Sequence, residues 1–286
     1  MSDDDTGHPD THMSDPFELL GNRTRLEIIR ALIQANSSPL SFRTLFERTS
    51  CPDSGNFNYH LQQLRGLFVQ KTNGYELTLA GKRVGGAILA NSFAPEQTVE
   101  PIDLDWRCLL CDGTKQASYR DGRAHIRCVD CDGGATFPFP AGTIEQFERE
   151  ALGRAFARWL RVLIQRVTMG FCPVCAGRVT AQIERLPGGT PADPKPSRVL
   201  FDCQRCVSGL YLSGSSVVTY HPHVEQFFFA HGLELHEAHA EHAWATLDRF
   251  NSTIVSKAPP TIRFEFEYDG DRIEPVLHAN GDVRFE

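Results

Sequence analysis

The sequence predicts an α+β chain: short N-terminal helices closed by a hairpin, then two small β units pinned by cysteine pairs and joined by long helices. Three observations predict it. Apolar residues recur at helical spacing between Phe17 and Leu64. Eight of the nine cysteines fall into four C-x2-C pairs. The dipeptides Asn73-Gly74, Asp269-Gly270 and Asn280-Gly281 mark hairpin turns between runs of alternating polarity.

The elements follow in order. Residues 1–13, MSDDDTGHPDTHM, are acidic and lack apolar periodicity, the pattern of a disordered tail. A folded region is expected over 14–93. Its first helical stretch carries Leu19, Leu20, Leu26, Ile29, Leu32 and Ile33 as an apolar stripe, and Asn36 to Pro39 end it. SFRTLFERT forms a second helix, with Ser41 as N-cap and Phe42, Leu45 and Phe46 facing inward. A third, capped by Asp53 or Ser54, buries Phe57, Leu61 and Leu64 at i, i+4 and i+7. Two strands around Asn73-Gly74 and a last helix, LAGKRVGGAILANSF, complete a winged helix-turn-helix pattern.

A linker at 94–101 leads to a first cysteine unit with its connecting helix at 102–169. The second unit, a helical stretch and a small C-terminal sheet occupy 170–286. The units read as an internal repeat: Cys108-x2-Cys111 and Cys128-x2-Cys131 lie sixteen residues apart, and Cys172-x2-Cys175 and Cys203-x2-Cys206 lie 27 apart. The longer gap contains the proline-glycine loop LPGGTPADPKPS. Between the units, TIEQFEREALGRAFARWLRVLIQRV reads as one long amphipathic helix.

A length of 286 residues with 41% hydrophobic content suits two packed domains. The longest apolar runs, such as AILANSFA, fall short of the eighteen or so residues a membrane span needs, and a cytoplasmic location is expected. A net charge of −7 hides a local excess of cations: residues 14–90 hold nine basic and six acidic side chains. Nine cysteines in a reducing compartment argue against a disulfide framework.

Zinc prefers four thiolates in a tetrahedron, and a C-x2-C turn presents two sulfurs to one ion. Two such turns closed by strands make a zinc ribbon, so Cys108, Cys111, Cys128 and Cys131 are expected to hold one Zn2+, and Cys172, Cys175, Cys203 and Cys206 a second. Both sites would be closed and structural. A redox couple needs one such pair in a thioredoxin-like setting, and simple packing of thiols needs the repeated spacing to be accidental. His236, His239 and His242 read as solvated helix residues.

The third helix carries Ser54, Asn56, Asn58, Tyr59, Gln62 and Gln63 opposite its apolar stripe. Asn and Gln suit paired contacts to adenine in the major groove of double-stranded DNA. Lys71 at the hairpin tip and Lys82 and Arg83 just beyond it are expected phosphate contacts.

The segments NRTRLEIIRAL, FNYHLQQL and FVQKTNGYELTLAG resemble the winged helix of arsenic-repressor-type (ArsR-like) regulators, in the form common in haloarchaea. The C-terminal part resembles the domain that accompanies this winged helix in such regulators. The resemblance implies a transcriptional regulator that dimerises through helices here at Phe17 to Ala35 and Leu79 to Phe93. The family's metal-sensing cysteine pair has no counterpart in Phe42 to Arg48. The alternative reading is a basal transcription scaffold similar to archaeal transcription factor E, working through the transcription machinery. No phosphate-binding glycine loop, nucleophile elbow or paired carboxylate frame suggests an enzyme.

Overall fold

The computed structural model describes residues 16–35, 39–91, 97–108, 111, 113–131, 133–184, 198–233, 235 and 250–285. The tail at 1–13, the proline-glycine loop at 186–197 and His236, His239 and His242 lie outside them. The described residues are α+β, with several small antiparallel sheets. The chain divides into two compact units: one ends at Pro95 and takes in Pro140–Gly142, and the other comprises Glu96–Phe139 and Thr143–Glu286.

The first unit runs α1 (Pro16–Leu20), α2 (Arg23–Ile33), α3 (Phe42–Glu47), α4 (Ser54–Leu64), β1 (Val69–Lys71), β2 (Tyr75–Leu77) and α5 (Leu79–Leu89). Four side-chain caps set the helix starts, each oxygen accepting an otherwise unpaired amide: Asn22 from Arg25, Ser41 from Thr44, Asp53 from Gly55 and Asn56, and Thr78 from Gly81. The core gathers Ile29, Leu32, Leu45, Phe57, Leu61 and Leu64, with the rings of Phe42 and Phe46 each edge-on to Phe57 at 5.2 Å. Leu26, expected in the α2 stripe, is 38% exposed, and Ile28 is buried in its place. The row that faces α4 and α5 is 28, 29 and 32, and Leu26 falls to one side of it. β1 and β2 pair antiparallel across a three-residue connection at 72–74, and Leu40 exchanges two backbone hydrogen bonds with Tyr75 at 2.8 and 2.9 Å.

The second unit opens with a four-stranded meander, β3 (Val99–Arg107), β4 (Thr114–Arg120), β5 (Arg123–Cys128) and β6 (Gly134–Pro138). β3 begins inside the expected 94–101 linker because Val99 pairs with Tyr119 and is buried. Pro101 is tolerated there: β3 is an edge strand, and its register shifts between Val99 and Ile102. After α6 (Ala141–Ile144) and a 3-10 turn at Arg149–Ala151 comes α7 (Leu152–Thr168). The expected connecting helix is thus broken before residue 152, and only its second part is long.

The next sheet has three strands, β7 (Val179–Glu184), β8 (Arg198–Cys203) and β9 (Gly209–Ser213), followed by α8 (Gly214–Thr219) and α9 (Pro222–Ala230). The last sheet comprises β10 (Phe250–Lys257), β11 (Pro260–Tyr268), β12 (Asp271–Ile273), β13 (Pro275–His278) and β14 (Val283–Phe285). Asp269 and Gly270 join β11 to β12 with φ of 50° and 85°, the left-handed pair a tight two-residue hairpin turn requires.

α7, which ends just before the boundary expected between 169 and 170, packs against both cysteine units. Near its start Phe156 packs on Phe139 with ring centroids 4.8 Å apart, beneath the first sheet. Near its end Ile164 and Val167 enter the core formed by Val199 and Phe201 of the second sheet with Phe264 and Phe266 of the last. No helix among the described residues is long and apolar enough to cross a membrane.

Candidate metal centres and nucleic-acid interface

Each cysteine pair occupies a turn with the same closure. The first cysteine donates its amide to the carbonyl five residues on: Cys108 to Gly113 at 2.8 Å, Cys128 to Gly133 at 2.9 Å, Cys172 to Gly177 at 2.9 Å and Cys203 to Ser208 at 3.0 Å. The strands then bring the turns together in pairs. Sγ separations are 3.6 Å for Cys108 and Cys131, 3.5 Å for Cys111 and Cys128, 3.7 Å for Cys172 and Cys206, and 3.5 Å for Cys175 and Cys203. Within each set of four, all sulfurs lie within 4.8 Å of one another.

These distances are too long for disulfides, whose S–S length is about 2.05 Å. They match the edge of about 3.8 Å that a tetrahedron with metal–sulfur bonds of about 2.3 Å possesses. Backbone amides also point at the sulfurs: Asp130 to Cys128, Gly133 to Cys131, Val174 to Cys172, Gly177 to Cys175 and Arg205 to Cys203, at 3.3–3.4 Å. A Cβ at Gly177 would crowd this turn, lying 3.0 Å from Arg205 Cβ, 3.1 Å from the Cys175 sulfur and 3.4 Å from that of Cys203.

Each set of thiols is electrostatically uneven. Burial opposes ionisation of Cys128, but the Asp130 amide and the Cys111 thiol outweigh it and bring the pKa down to about 7. Burial likewise opposes Cys172, and the amides of Cys175 and Val174 bring it to about 6. The Gly113 amide favours the Cys111 thiolate, yet the neighbouring Cys131 and Cys128 push it up to about 12. Cys206 rises to about 12 as well, against the Ser208 amide, through Cys175 and burial. Four sulfurs this close ionise together only around a cation, which both sets are shaped to hold. The two tetracysteine groups therefore suit two structural metal ions, with every coordination position supplied by protein.

In the first unit, the expected contact residues Ser54, Asn56, Asn58, Tyr59, Gln62, Gln63, Lys71, Lys82 and Arg83 are all exposed. The opposite face of α4 is buried through Phe57, Leu61 and Leu64. Asn58 and Gln62 are joined by a 3.3 Å hydrogen bond, and Arg65 donates to Gln62 at 2.8 Å. Arg65 follows the last turn of α4 in extended backbone, so helical spacing does not point to it; its hydrogen bond to Gln62 brings it beside the exposed row. Asn56 instead turns toward the buried Cys51, its amide 3.8 Å from the sulfur. Lys82 and Arg83 sit in the first turns of α5, just beyond the hairpin, and Lys71 lies over the Tyr75 ring at 5.5 Å. His60 is buried behind this face, and burial together with the charge of Arg25 depresses its pKa.

Comparison with known proteins yields two family models. Residues 13–88 match the domain of unknown function DUF7347, and residues 105–283 match the domain of unknown function DUF7351. No curated protein and no solved structure matches the chain.

Proposed function

From a chain that belongs to the DUF7351 family through residues 105–283, we propose a sequence-specific DNA-binding transcriptional regulator whose C-terminal part is held by two structural zinc ions. The observation that carries this reading is α4: its apolar face anchors it in the core, and its other face offers Asn58 and Gln62, joined to each other and to Arg65 at the C-cap, ahead of a β-hairpin. Such a helix suits the major groove, where Asn and Gln pair with adenine and Arg with guanine. Lys71, Lys82 and Arg83 supply phosphate contacts beside it. On this reading the first unit is a winged helix-turn-helix of the ArsR-like kind and acts as a homodimer on a two-fold symmetric site.

Zinc is the ion assigned, because four thiolates in a closed tetrahedron are its ordinary structural environment. It supplies folding energy to sheets of three and four strands.

Selection of genomic fragments by the purified, zinc-loaded chain tests the reading. A two-fold symmetric motif is expected among the retained fragments, and Asn58→Ala with Gln62→Ala should abolish its enrichment. Retention that is uniform across fragments, or absent, rejects it.

A second reading has its own observation. Met169, Phe171, Val174 and Val207 are exposed around the second tetracysteine group, an apolar tip suited to a protein partner. A scaffold of the transcription machinery would use that tip and would bind DNA without sequence preference.

A further inference from the structure

The two cysteine units share a register that allows position-by-position comparison. In the first, β4 and β5 pair Lys115 with Cys128, Gln116 with Arg127, Ser118 with His125 and Arg120 with Arg123. In the second, β7 and β8 pair Val179 with Cys203, Thr180 with Asp202, Gln182 with Leu200 and Glu184 with Arg198. The third strands agree too, with Gly134 opposite Arg127 and Gly209 opposite Asp202. Counted from the cysteines, Arg120 thus corresponds to Glu184, Arg123 to Arg198, His125 to Leu200 and Arg127 to Asp202.

Alternate residues point to opposite faces of a strand. Ala124, Ile126, Val199 and Phe201 form the buried rows, so the compared positions form the outward ones. On the second unit the outward row is neutralised: Arg198 donates to Glu184 at 2.7 Å and lies over the Tyr211 ring at 4.0 Å, and Asp202 adds an acid. On the first unit the row is cationic. Arg120 and Arg123 stand directly opposite one another, an arrangement of like charges that weakens a sheet. Asp121 in the turn approaches Arg120 at 3.5 Å, and Asp103 on β3 is engaged by Gln116 at 2.7 Å. Arg127 donates to the Thr136 hydroxyl at 3.3 Å, and His125 meets the same hydroxyl at 3.1 Å. All three arginines are exposed, and the fields of all three reach His125.

The same metal-held architecture is built in the second unit without this charge, so folding does not require it. We propose that the outward face of the first cysteine sheet, Arg120, Arg123 and Arg127 with His125 and Thr136 between them, binds the phosphate backbone of double-stranded DNA. Arg123 and Arg127 lie four residues apart on β5, about 13 Å at strand rise, which spreads the cations along a backbone rather than around one small anion. The contact carries no sequence information and adds affinity to the reading made by α4. It rests on the DNA-binding function proposed above.

The test is the salt dependence of duplex binding, measured with the zinc-loaded full chain and a labelled duplex carrying the selected motif. Each phosphate contact contributes about −0.9 to the slope of log affinity against log salt. The variant Arg120→Gln/Arg123→Gln/Arg127→Gln should reduce the slope's magnitude by about 2 to 3 and weaken binding at least about tenfold at low salt, while keeping two metals per chain and its preference for the motif. The corresponding triple lysine variant should keep the wild-type slope, which separates charge from sheet stability.

An unchanged slope in the glutamine variant overturns the inference and leaves the α4 reading standing. A reduced slope together with unaltered motif preference after Asn58→Ala and Gln62→Ala rejects the α4 reading and leaves the sheet contact. Loss of single-strand binding without loss of duplex binding also overturns the assignment, and absence of duplex binding in the wild type overturns both.

Discussion

The two cysteine units hold the same four-sulfur arrangement and differ in what surrounds it. The first sheet rests on an aromatic cluster of Tyr119, Phe139 and Phe156. The second shares one continuous core with α7, α8, α9 and the last sheet. Their outward faces differ in charge, as Arg120 and Arg127 stand where Glu184 and Asp202 do. The inward rows and the turns are constrained by metal and packing. The outward rows carry only surface contacts, and it is there that the two units diverge.

The largest expected effect separates the two metal centres. Cys128→Ser and Cys203→Ser should each reduce bound zinc from two ions to one, read by elemental analysis of the purified chain. Removing a structural zinc ligand costs on the order of 5 kcal/mol or more. For Cys203→Ser that loss falls on the shared core, and the main unfolding transition should drop by about 10–20 °C. Cys128→Ser should instead melt the first sheet locally, with the main transition nearly unmoved. The reverse order in calorimetry would break the comparison.

A smaller effect concerns charge on the outward faces. Arg198→Gln removes a half-exposed ion pair and a ring contact, and should cost about 0.5–1 kcal/mol. Arg123→Gln relieves a cross-strand repulsion and should be neutral or stabilising by a few tenths of a kcal/mol. Equal destabilisation by both, measured by denaturant unfolding of the zinc-loaded chain, would show that the first sheet needs its arginines for folding.

The smallest effect is the titration of two histidines. Burial and then Arg127 lower the pKa of His125 below the ordinary 6.5, so its contribution to stability is present above that value and is lost as pH falls below it. The Phe227 carbonyl and then the Asp271 carboxylate raise that of His231, so its contribution is full below 6.5 and disappears as pH rises through the raised value. NMR titration should find His125 below and His231 above 6.5, with Arg127→Gln moving His125 upward and Asp271→Asn moving His231 downward. Coincident titrations would reject this contrast.

Much of this molecule was legible in its sequence. Cysteine spacing located both tetracysteine groups, because a C-x2-C turn has few ways to present two sulfurs. Caps at Ser41 and Asp53 and the turn at Asp269-Gly270 carried their local geometry in residue type alone. What escaped notice depended on tertiary partners. Leu26 and Ile28 are equally apolar, and only the placement of the neighbouring helices decides which is buried. The break before α7 carries no proline, and its residues read as helical until packing intervenes. The opposition of Arg127 and Asp202 was hidden because the insertion at 185–197 changes the offset between the units from 64 residues at Cys111 and Cys175 to 75 at Cys128 and Cys203. Only strand pairing restores that alignment.

α7 has a mechanical consequence. Its 17 residues extend about 25 Å, and from its last turn Arg166 donates to the carbonyl of Cys172 at 3.2 Å, while Val179 donates to Gly170 at 3.0 Å. The helix is thus bolted at one end to the second metal turn and wedged at the other beneath the first sheet. One rigid element therefore carries contacts to both cysteine units, so a substitution in its middle turns would be felt at both sheets at once.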